Sequence, residues 1–372
     1  MLKILCKNRS IFKYFRSVNS KKRILVAPLD WGLGHASRCV PIAKALEKEG
    51  YEVVFASSGR PLELLIQEFP KNDFIKLESY NISYPKNGQM ALSMLSQLFK
   101  IWKGIRQEHK QLQQIIDDYN IDGVISDNRY GLYSKKVPCV FVTHQLQIQS
   151  PILTETLQKI NFKYIQKFDE CWVPDSDTHQ LSGQLSKANN SPFKCQYIGA
   201  LSRFESLEKT EELDALAIVS GPEPQRTIFE ELVKKQLIAS KLKAVLVLGK
   251  TEENNEEEIG NLKVVSHLNA KSLNQQMVNA NVVISRSGYS TVMDIAKLNK
   301  KAIFVPTPGQ TEQLYLAKYF YDKNIAYAMH QKDFNLKNAL IRSPEFNGFK
   351  AKSDNTDWKN IFEVFNKISN LA

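Results

Sequence analysis

Short apolar runs alternate with amphipathic helical stretches along this chain, and they do so twice over, which leaves few folds open to it. Runs at 23–28, 51–57, 74–77, 123–126, 137–143, 170–173 and 195–198 read as strands of a first half. Runs at 215–220, 243–248, 262–265, 282–285, 302–305 and 325–328 read as strands of a second. Helical patterns fill the gaps, at 36–49, 93–116, 224–239, 272–279, 289–298 and 311–323, with Gly50 stopping the first. Continuously apolar strands are buried on both faces, so each half is an α/β unit with a parallel sheet covered by helices. The expected architecture is two doubly wound, Rossmann-like domains at 21–201 and 214–350, joined by a charged linker at 202–213. A basic arm at 1–20 precedes them and a terminal helix at 351–372 follows. The acidic stretch 252–258 is expected to be a solvated loop.

Charge narrows the choice of partners. The formal net charge is +11, but Lys3, Lys7, Arg9, Lys13, Arg16, Lys21, Lys22 and Arg23 stand at the start with no acid among them. The body is nearly balanced, which argues against a nucleic-acid-binding face. The arm also carries Leu2, Ile4, Leu5, Ile11, Phe12, Phe15 and Val18, a mixture that suits an interfacial helix on an anionic membrane, a targeting segment or an irregular lead-in to the first strand. No apolar run approaches the roughly 20 residues needed to span a bilayer. Five scattered cysteines show neither zinc nor disulfide spacing, so a reducing cytoplasm is the expected setting.

Open α/β sheets bind ligands beyond the carboxyl ends of their strands. In the second half three such turns are rich in small and hydroxyl residues: Ser220-Gly221-Pro222, Ser285-Arg286-Ser287-Gly288-Tyr289-Ser290-Thr291, and Pro306 through Glu312-Gln313. Each alone is an ordinary connection with capping residues. Three on one sheet suit a nucleotide diphosphate held by backbone N–H groups. In the first half Asp30-Trp31-Gly32-Leu33-Gly34-His35-Ala36 joins a strand to a helix. It is a poor dinucleotide fingerprint, because Ser37 stands at the third glycine position and no acid ends the next strand. A histidine there is biased toward its neutral form by the helix N-terminus, as a general base requires, or it simply caps the helix. Asp127 with Arg129, and His144 with Gln145, follow other strands, either as acceptor contacts or as satisfied loop polarity. Asp175 and Asp177 have the spacing of a metal-binding pair but sit where helix caps are common, and no metal is expected.

Residues 264–328 resemble the nucleotide-binding half of family-28 glycosyltransferases, a family that includes the peptidoglycan lipid-intermediate N-acetylglucosaminyltransferases. The matching core is Ile284-Ser285-Arg286-Ser287-Gly288 with Thr291 and Asp294, then Phe304-Val305-Pro306, Gln313 and Ala317. The resemblance implies a GT-B fold, with the donor in the second domain and the acceptor in the first. It implies base recognition at His267-Leu268, diphosphate at Ser290 and Thr291, and ribose at Asp294, where the family usually has glutamate. Glu312-Gln313 falls at a Gln-Gln pair that touches ribose and sugar hydroxyls, and Arg203 at a phosphate-pairing arginine. Gly32, Gly34 and His35 fall on the glycine-rich acceptor loop, although only Gly34 and His35 align with it. His144-Gln145 resembles a His-Glu-Gln segment at the cleft.

The implied chemistry is transfer of a hexose or N-acetylhexosamine from a UDP-sugar to a lipid or glycan acceptor. His35 would be the base, inversion the outcome, and neither cofactor nor metal would be needed. The helix at 93–116 places Leu98, Trp102, Ile105, Leu112 and Ile116 on one side and Lys100, Lys103, Arg106 and Lys110 beside them. In the family such a face sits peripherally on the inner side of a membrane; pattern alone favours a core helix with a solvated face. A UDP-sugar 2-epimerase and a non-catalytic nucleotide-sugar-binding protein remain as alternatives.

Overall fold

A computed structural model describes residues 21–79, 98–148, 154–175, 181–188, 191–250, 253–350 and 356–366. The basic arm, the beginning of the helix expected at 93–116, and Asp177 lie outside the described residues. The first sheet comprises β1 (Arg23–Pro28), β2 (Glu52–Ser57), β3 (Asp73–Lys76), β4 (Gly123–Asp127), β5 (Cys139–Val142), β6 (Glu170–Val173) and β7 (Cys195–Tyr197). All pair in parallel, in the order β3-β2-β1-β4-β5-β6-β7. The order reverses between β1 and β4, and that is where ligand crevices form. Register sets Pro28 opposite Asp127 there, so the glycine-rich turn and the Asp127 carboxylate emerge side by side.

Helix α1 (Leu33–Lys48) leaves this switch point and buries Ala36, Cys39, Val40, Ile42, Ala43 and Leu46 against the sheet. Gly50, with φ of +89°, takes the left-handed turn that ends it. Helix α2 (Gly59–Glu68) and helix α3 (Leu98–Tyr119) follow β2 and β3. Ile105, Leu112 and Ile116 of α3 are buried, whereas Trp102 is 44% exposed beside exposed Lys100, Lys103, Arg106 and Lys110.

The second sheet has β8 (Leu213–Ile218), β9 (Ala244–Val247), β10 (Glu256–Ile259), β11 (Leu262–Val265), β12 (Ala280–Ser285), β13 (Lys301–Phe304) and β14 (Tyr327–Ala328), in the order β10-β11-β9-β8-β12-β13-β14. Its switch point lies between β8 and β12. Helix α4 (Thr154–Ile165) belongs to the first domain; α5 (Gln225–Ser240), α6 (Ala270–Asn279), α7 (Tyr289–Lys297) and α8 (Thr311–Asp322) cover the second sheet.

Two expectations change. The acidic stretch is not a loop throughout: Glu256–Ile259 pairs antiparallel with β11 across a Gly260-Asn261 turn. It lies at the sheet edge, where charged side chains are tolerated and discourage further pairing. Of the terminal helix expected at 351–372, the described residues show a single helical turn, Trp358–Ile361, continued as a tighter 3-10 turn over Phe362–Asn366. It packs on the first domain, not the second. Phe362 and Phe365 meet Tyr51 and Trp172, and Lys22 Nζ donates to the Phe365 carbonyl at 2.8 Å. The chain thus returns across the domain boundary and ties its two halves together. No described helix is long and apolar enough to cross a membrane.

Candidate active site

The two switch points face one another. The N-termini of α1 and α7 meet across the cleft, and Ser290 Oγ donates to the Gly34 carbonyl at 3.1 Å. A Cβ on Gly34 would lie 2.6 Å from Ser290 Oγ, so glycine is what lets the domains approach this closely. Both helices begin after a glycine, Gly32 and Gly288, and neither is capped by a side chain. By contrast Asn269 and Gln310 cap α6 and α8. Two uncapped helix N-termini converging on one place form a field that favours an anion.

Next to them lies a buried polar cluster. His35 Nδ1 is 2.8 Å from Asp127 Oδ1. The Arg38 guanidinium, one turn further along α1, grips both oxygens of the same carboxylate. Arg38 also reaches His144 Nδ1 at 3.0 Å, and His144 Nε2 is 3.3 Å from Glu312 Oε1 of the second domain. Gln145 donates to the other Glu312 oxygen. The Tyr289 ring lies flat on His144, centroids 3.8 Å apart. Burial would raise the Asp127 carboxyl, but Arg38 and His35 hold it well below the usual carboxylate range. Burial, and then the nearby Arg38 charge, lower the His35 imidazole; Asp127 opposes them without winning. Arg38 Nη2 is also 2.9 Å from His35 Nδ1 but sits closer to Asp127 Oδ1. With the carboxylate, which can only accept, taking the Nδ1 proton, the Nε2 lone pair of a neutral His35 is left to act as a base.

On the donor side Ser287 Oγ donates to the Gln313 carbonyl at 2.7 Å, and Gln313 Oε1 accepts from Thr307 N at 2.8 Å, locking the turn after β12 to the turn after β13. Arg286 is buried, stacks over Phe229 and donates to Val305 O, Gln225 O and Gln331 Oε1. Desolvation brings its guanidinium down to about 9. It joins the ends of β13 and α5 from behind the loop. Gly221, with φ of +106°, turns the chain after β8 close to Thr307. Asp294 accepts from Ser202 Oγ at 2.6 Å, and burial pushes its carboxyl up to about 6. Thr291 is in the first turn of α7, while His267, bound to the Glu253 carbonyl at 2.8 Å, and half-buried Leu268 follow β11.

The structure brings His35, Gly34, Asp127, His144, Gln145, Ser290 and Glu312 together. Arg129, expected on the acceptor side, does not join them. It is wholly buried, donates to Pro28 O at 2.8 Å and pairs with Glu108 of α3 at 2.5 Å, so it holds the loop after β4. Arg203, expected on a phosphate, pairs with Glu68 of α2 through Nη1 at 2.9 Å. Asp175 accepts from Leu181 N, Ser182 N, Ser182 Oγ and Ser186 Oγ, which makes it the organiser of its own loop. No group of metal-ligating residues occurs among the described residues. Sequence reasoning missed Arg38 and Tyr289, the residues that tie the two histidines and the two domains together.

Comparison with known proteins agrees with this geometry. Residues 220–357 match the family model of the glycosyltransferase family 28 C-terminal domain. The chain is 24% identical over 329 residues, 82% of its length and 86% of the relative's, to a UDP-N-acetylglucosamine–N-acetylmuramyl-(pentapeptide) pyrophosphoryl-undecaprenol N-acetylglucosamine transferase of Sulfurihydrogenibium sp.. It is 22% identical, over 78% of this chain and 81% of the relative, to an uncharacterized glycosyltransferase of Methanosarcina acetivorans. Among solved structures, MurG of Acinetobacter baumannii superposes with a TM-score of 0.57 at 14% identity, covering 94% of this chain and all of that one. The calicheamicin glycosyltransferase CalG4 does so with 0.61 at 10% identity, over 93% and 94%. The chain is therefore a glycosyltransferase of GT-B fold whose second domain matches the family-28 C-terminal domain over residues 220–357.

Proposed function

We propose that the protein transfers a hexose or N-acetylhexosamine from a UDP-sugar to a hydroxyl of a lipid-linked or glycan acceptor, with inversion and without a metal. The observation that carries this reading is His35: its Nδ1 is held by Asp127, and the residue before it, Gly34, meets Ser290 in the uncapped first turn of α7. In the proposed step His35 Nε2 takes the acceptor proton as the acceptor oxygen attacks the anomeric carbon, and the bond to the UDP oxygen breaks. Backbone N–H groups at Ser290 and Thr291 receive the charge that develops on the diphosphate. Arg203 Nε is buried without a hydrogen-bond partner, and the Arg203 charge acts on the Asp294 carboxyl of α7. Asp294 takes the ribose hydroxyls. Glu312 is kept ionised by His144 and Arg38 although burial opposes it, and it accepts from hydroxyls of the sugar.

The relatives named as undecaprenol-linked N-acetylglucosamine transferases support a UDP-N-acetylhexosamine donor and a lipid-linked acceptor. Binding and turnover test this directly. UDP is expected to bind at least ten times more tightly than UMP by calorimetry, and saturation at ~100 times Kd should stabilise the protein by about 2.7 kcal/mol. Equal affinity for UDP and UMP would remove the diphosphate assignment. EDTA should leave turnover unchanged, and product should form only when an acceptor is present, which separates transfer from epimerisation.

The exposed face of α3 supports a peripheral position on an anionic membrane. Trp102 stacks under Arg106 at 4.3 Å, with Lys100, Lys103 and Lys110 exposed around it. Each basic residue near such a surface contributes about 1 kcal/mol. Replacing Lys100, Lys103 and Arg106 by Glu should therefore abolish salt-sensitive sedimentation with phosphatidylserine vesicles while leaving UDP affinity intact. A wild-type protein that never sediments with those vesicles sinks the membrane reading.

A further inference from the structure

Two histidines occupy one buried cluster, and by position either could serve as the base. Hydrogen-bond chemistry separates them. Arg38 Nη1 stands 3.0 Å from His144 Nδ1. A guanidinium only donates, so His144 Nδ1 must be the acceptor and the His144 proton must sit on Nε2. That proton then points at Glu312 Oε1, 3.3 Å away. Turning the ring over would set carbon atoms against both partners, and Tyr289, stacked at 3.8 Å and 7° from parallel, fixes the ring plane. His144 therefore has no lone pair to offer an acceptor. His35 Nδ1 lies between two groups, Asp127 Oδ1 at 2.8 Å and Arg38 Nη2 at 2.9 Å. Nη2 makes its closer contact to Asp127 Oδ1, whereas Nη1 has His144 as its partner, so the proton between ring and carboxylate is assigned to His35 Nδ1.

We propose that Arg38 is a positioning residue that gives the two histidines different tasks. It pins His144 as an Nε2–H donor that bridges the domains to Glu312, and it leaves His35, oriented by Asp127, as the histidine with an available lone pair. This deepens the proposed transfer reaction and rests on it for the catalytic part, but the assignment of protons stands independently of any reaction. The charged and titratable groups facing His35 are Arg38 on its own helix, Asp127 from β4, His144 from the turn after β5 and Glu312 from α8. Arg38 is the nearest cation among them. Its removal should let His35 protonate more readily, because one of the two main effects that oppose Asp127 would be gone, leaving burial as the main one.

Long-range proton–nitrogen correlation spectra of the full chain labelled with [15N]histidine test the proposal, with His35→Gln and His144→Gln spectra assigning the signals. The expected wild-type pattern is His144 protonated at Nε2 only and His35 at Nδ1 only. Arg38→Gln removes the charge and can satisfy only one of Asp127 and His144. It should mix the His144 tautomers, move the acidic limb of the kcat/KM profile to higher pH and lower kcat by about 10²-fold, with little change in donor KM. Arg38→Lys keeps the charge without the planar fork, so it should mix the tautomers while leaving the limb near its wild-type position. Because Arg38 is buried against Asp127, Arg38→Gln can fail to fold; the wild-type spectrum and Arg38→Lys then decide. A wild-type His144 carrying its proton on Nδ1 overturns the proposal, and so do wild-type tautomers in either folded variant. Correct tautomers in a protein that transfers no sugar would instead fault the proposed function and leave the role of Arg38 in place.

Discussion

His35→Ala is expected to lose 10²–10⁴-fold in kcat while keeping its affinity for the UDP-sugar. The two effects separate because His35 is on the first domain and the donor turns are on the second. The side chain is 19% exposed at the cleft, so its removal opens no sealed cavity and the melting temperature should hardly move. His35→Gln should be nearly as poor, since an amide can bond Asp127 but cannot take a proton. The wild-type pH profile carries the sharper evidence. Burial and Arg38 lower the His35 imidazole from its ordinary 6.5, so the neutral base persists below that pH. The acidic limb of kcat/KM should accordingly lie below 6.5 and vanish in His35→Ala. Stability follows the same sign: the unfolded chain protonates this histidine first, so the folded state loses stability as pH falls below 6.5. His144→Ala should instead weaken the grip on Glu312 and raise donor KM. If His35→Ala keeps more than about a tenth of wild-type kcat while His144→Ala does not, the base is the other histidine.

The two α/β halves and the ligand-type turns after their strands were legible in the sequence, because buried parallel strands are continuously apolar and the turns after them are short and rich in glycine and serine. Gly34, His35 and Ser290, in the first turns of α1 and α7, could be found from those local signals, whereas Asp294, one turn into α7, was singled out through the family resemblance. Arg38 could not be read in this way, since one arginine on a helix normally reads as a solvated face. A signal was present all the same: between Arg38 and Leu46 the only other charged residue is Lys44, so the helix is buried nearly all round and its arginine has to find an acid inside. Arg129 was misread for the opposite reason. An arginine after a strand looks like a ligand contact, and its true partner, Glu108, sits on a helix 21 residues earlier. The contacts of Glu312 with His144 and Gln145 join domains across more than 160 residues, and no local pattern encodes them. The strand at Glu256–Ile259 was hidden by its charge, although an apolar residue followed by Gly260-Asn261 and a second apolar run is a hairpin signal.

Asp294→Ala is expected to raise donor KM by roughly one to two orders of magnitude, as the loss of charged hydrogen bonds worth ~1.5–3 kcal/mol would give. The carboxylate sits one turn into α7, behind the Ser290-Thr291 backbone, and accepts from Ser202 through one oxygen, Oδ1. Oδ2 makes no hydrogen bond to the protein among the described residues, and in the proposed reading it is the oxygen offered to the ribose. Burial raises this carboxyl from 3.8 to about 6, with Ser202 and Arg203 only partly opposing it. For an acid whose folded value is raised, stability is greatest below pH 4 and falls as pH climbs through 6, where the folded state must accept a buried charge. Ribose hydroxyls relieve that cost by donating to the carboxylate, so donor binding should favour the ionised form and release a proton. Donor KM of the wild type should consequently fall as pH rises from about 5 to 7, whereas Asp294→Asn should be flat across that window and weaker throughout. His35 also titrates, below its ordinary 6.5 and on the acceptor side, so measuring UDP affinity by calorimetry instead of KM removes its contribution. The proton released on binding can be read directly from the dependence of the heat on buffer ionisation enthalpy. A wild-type UDP affinity that does not vary between pH 5 and 7, or an Asp294→Ala protein that binds UDP as tightly as wild type, would take the ribose away from Asp294.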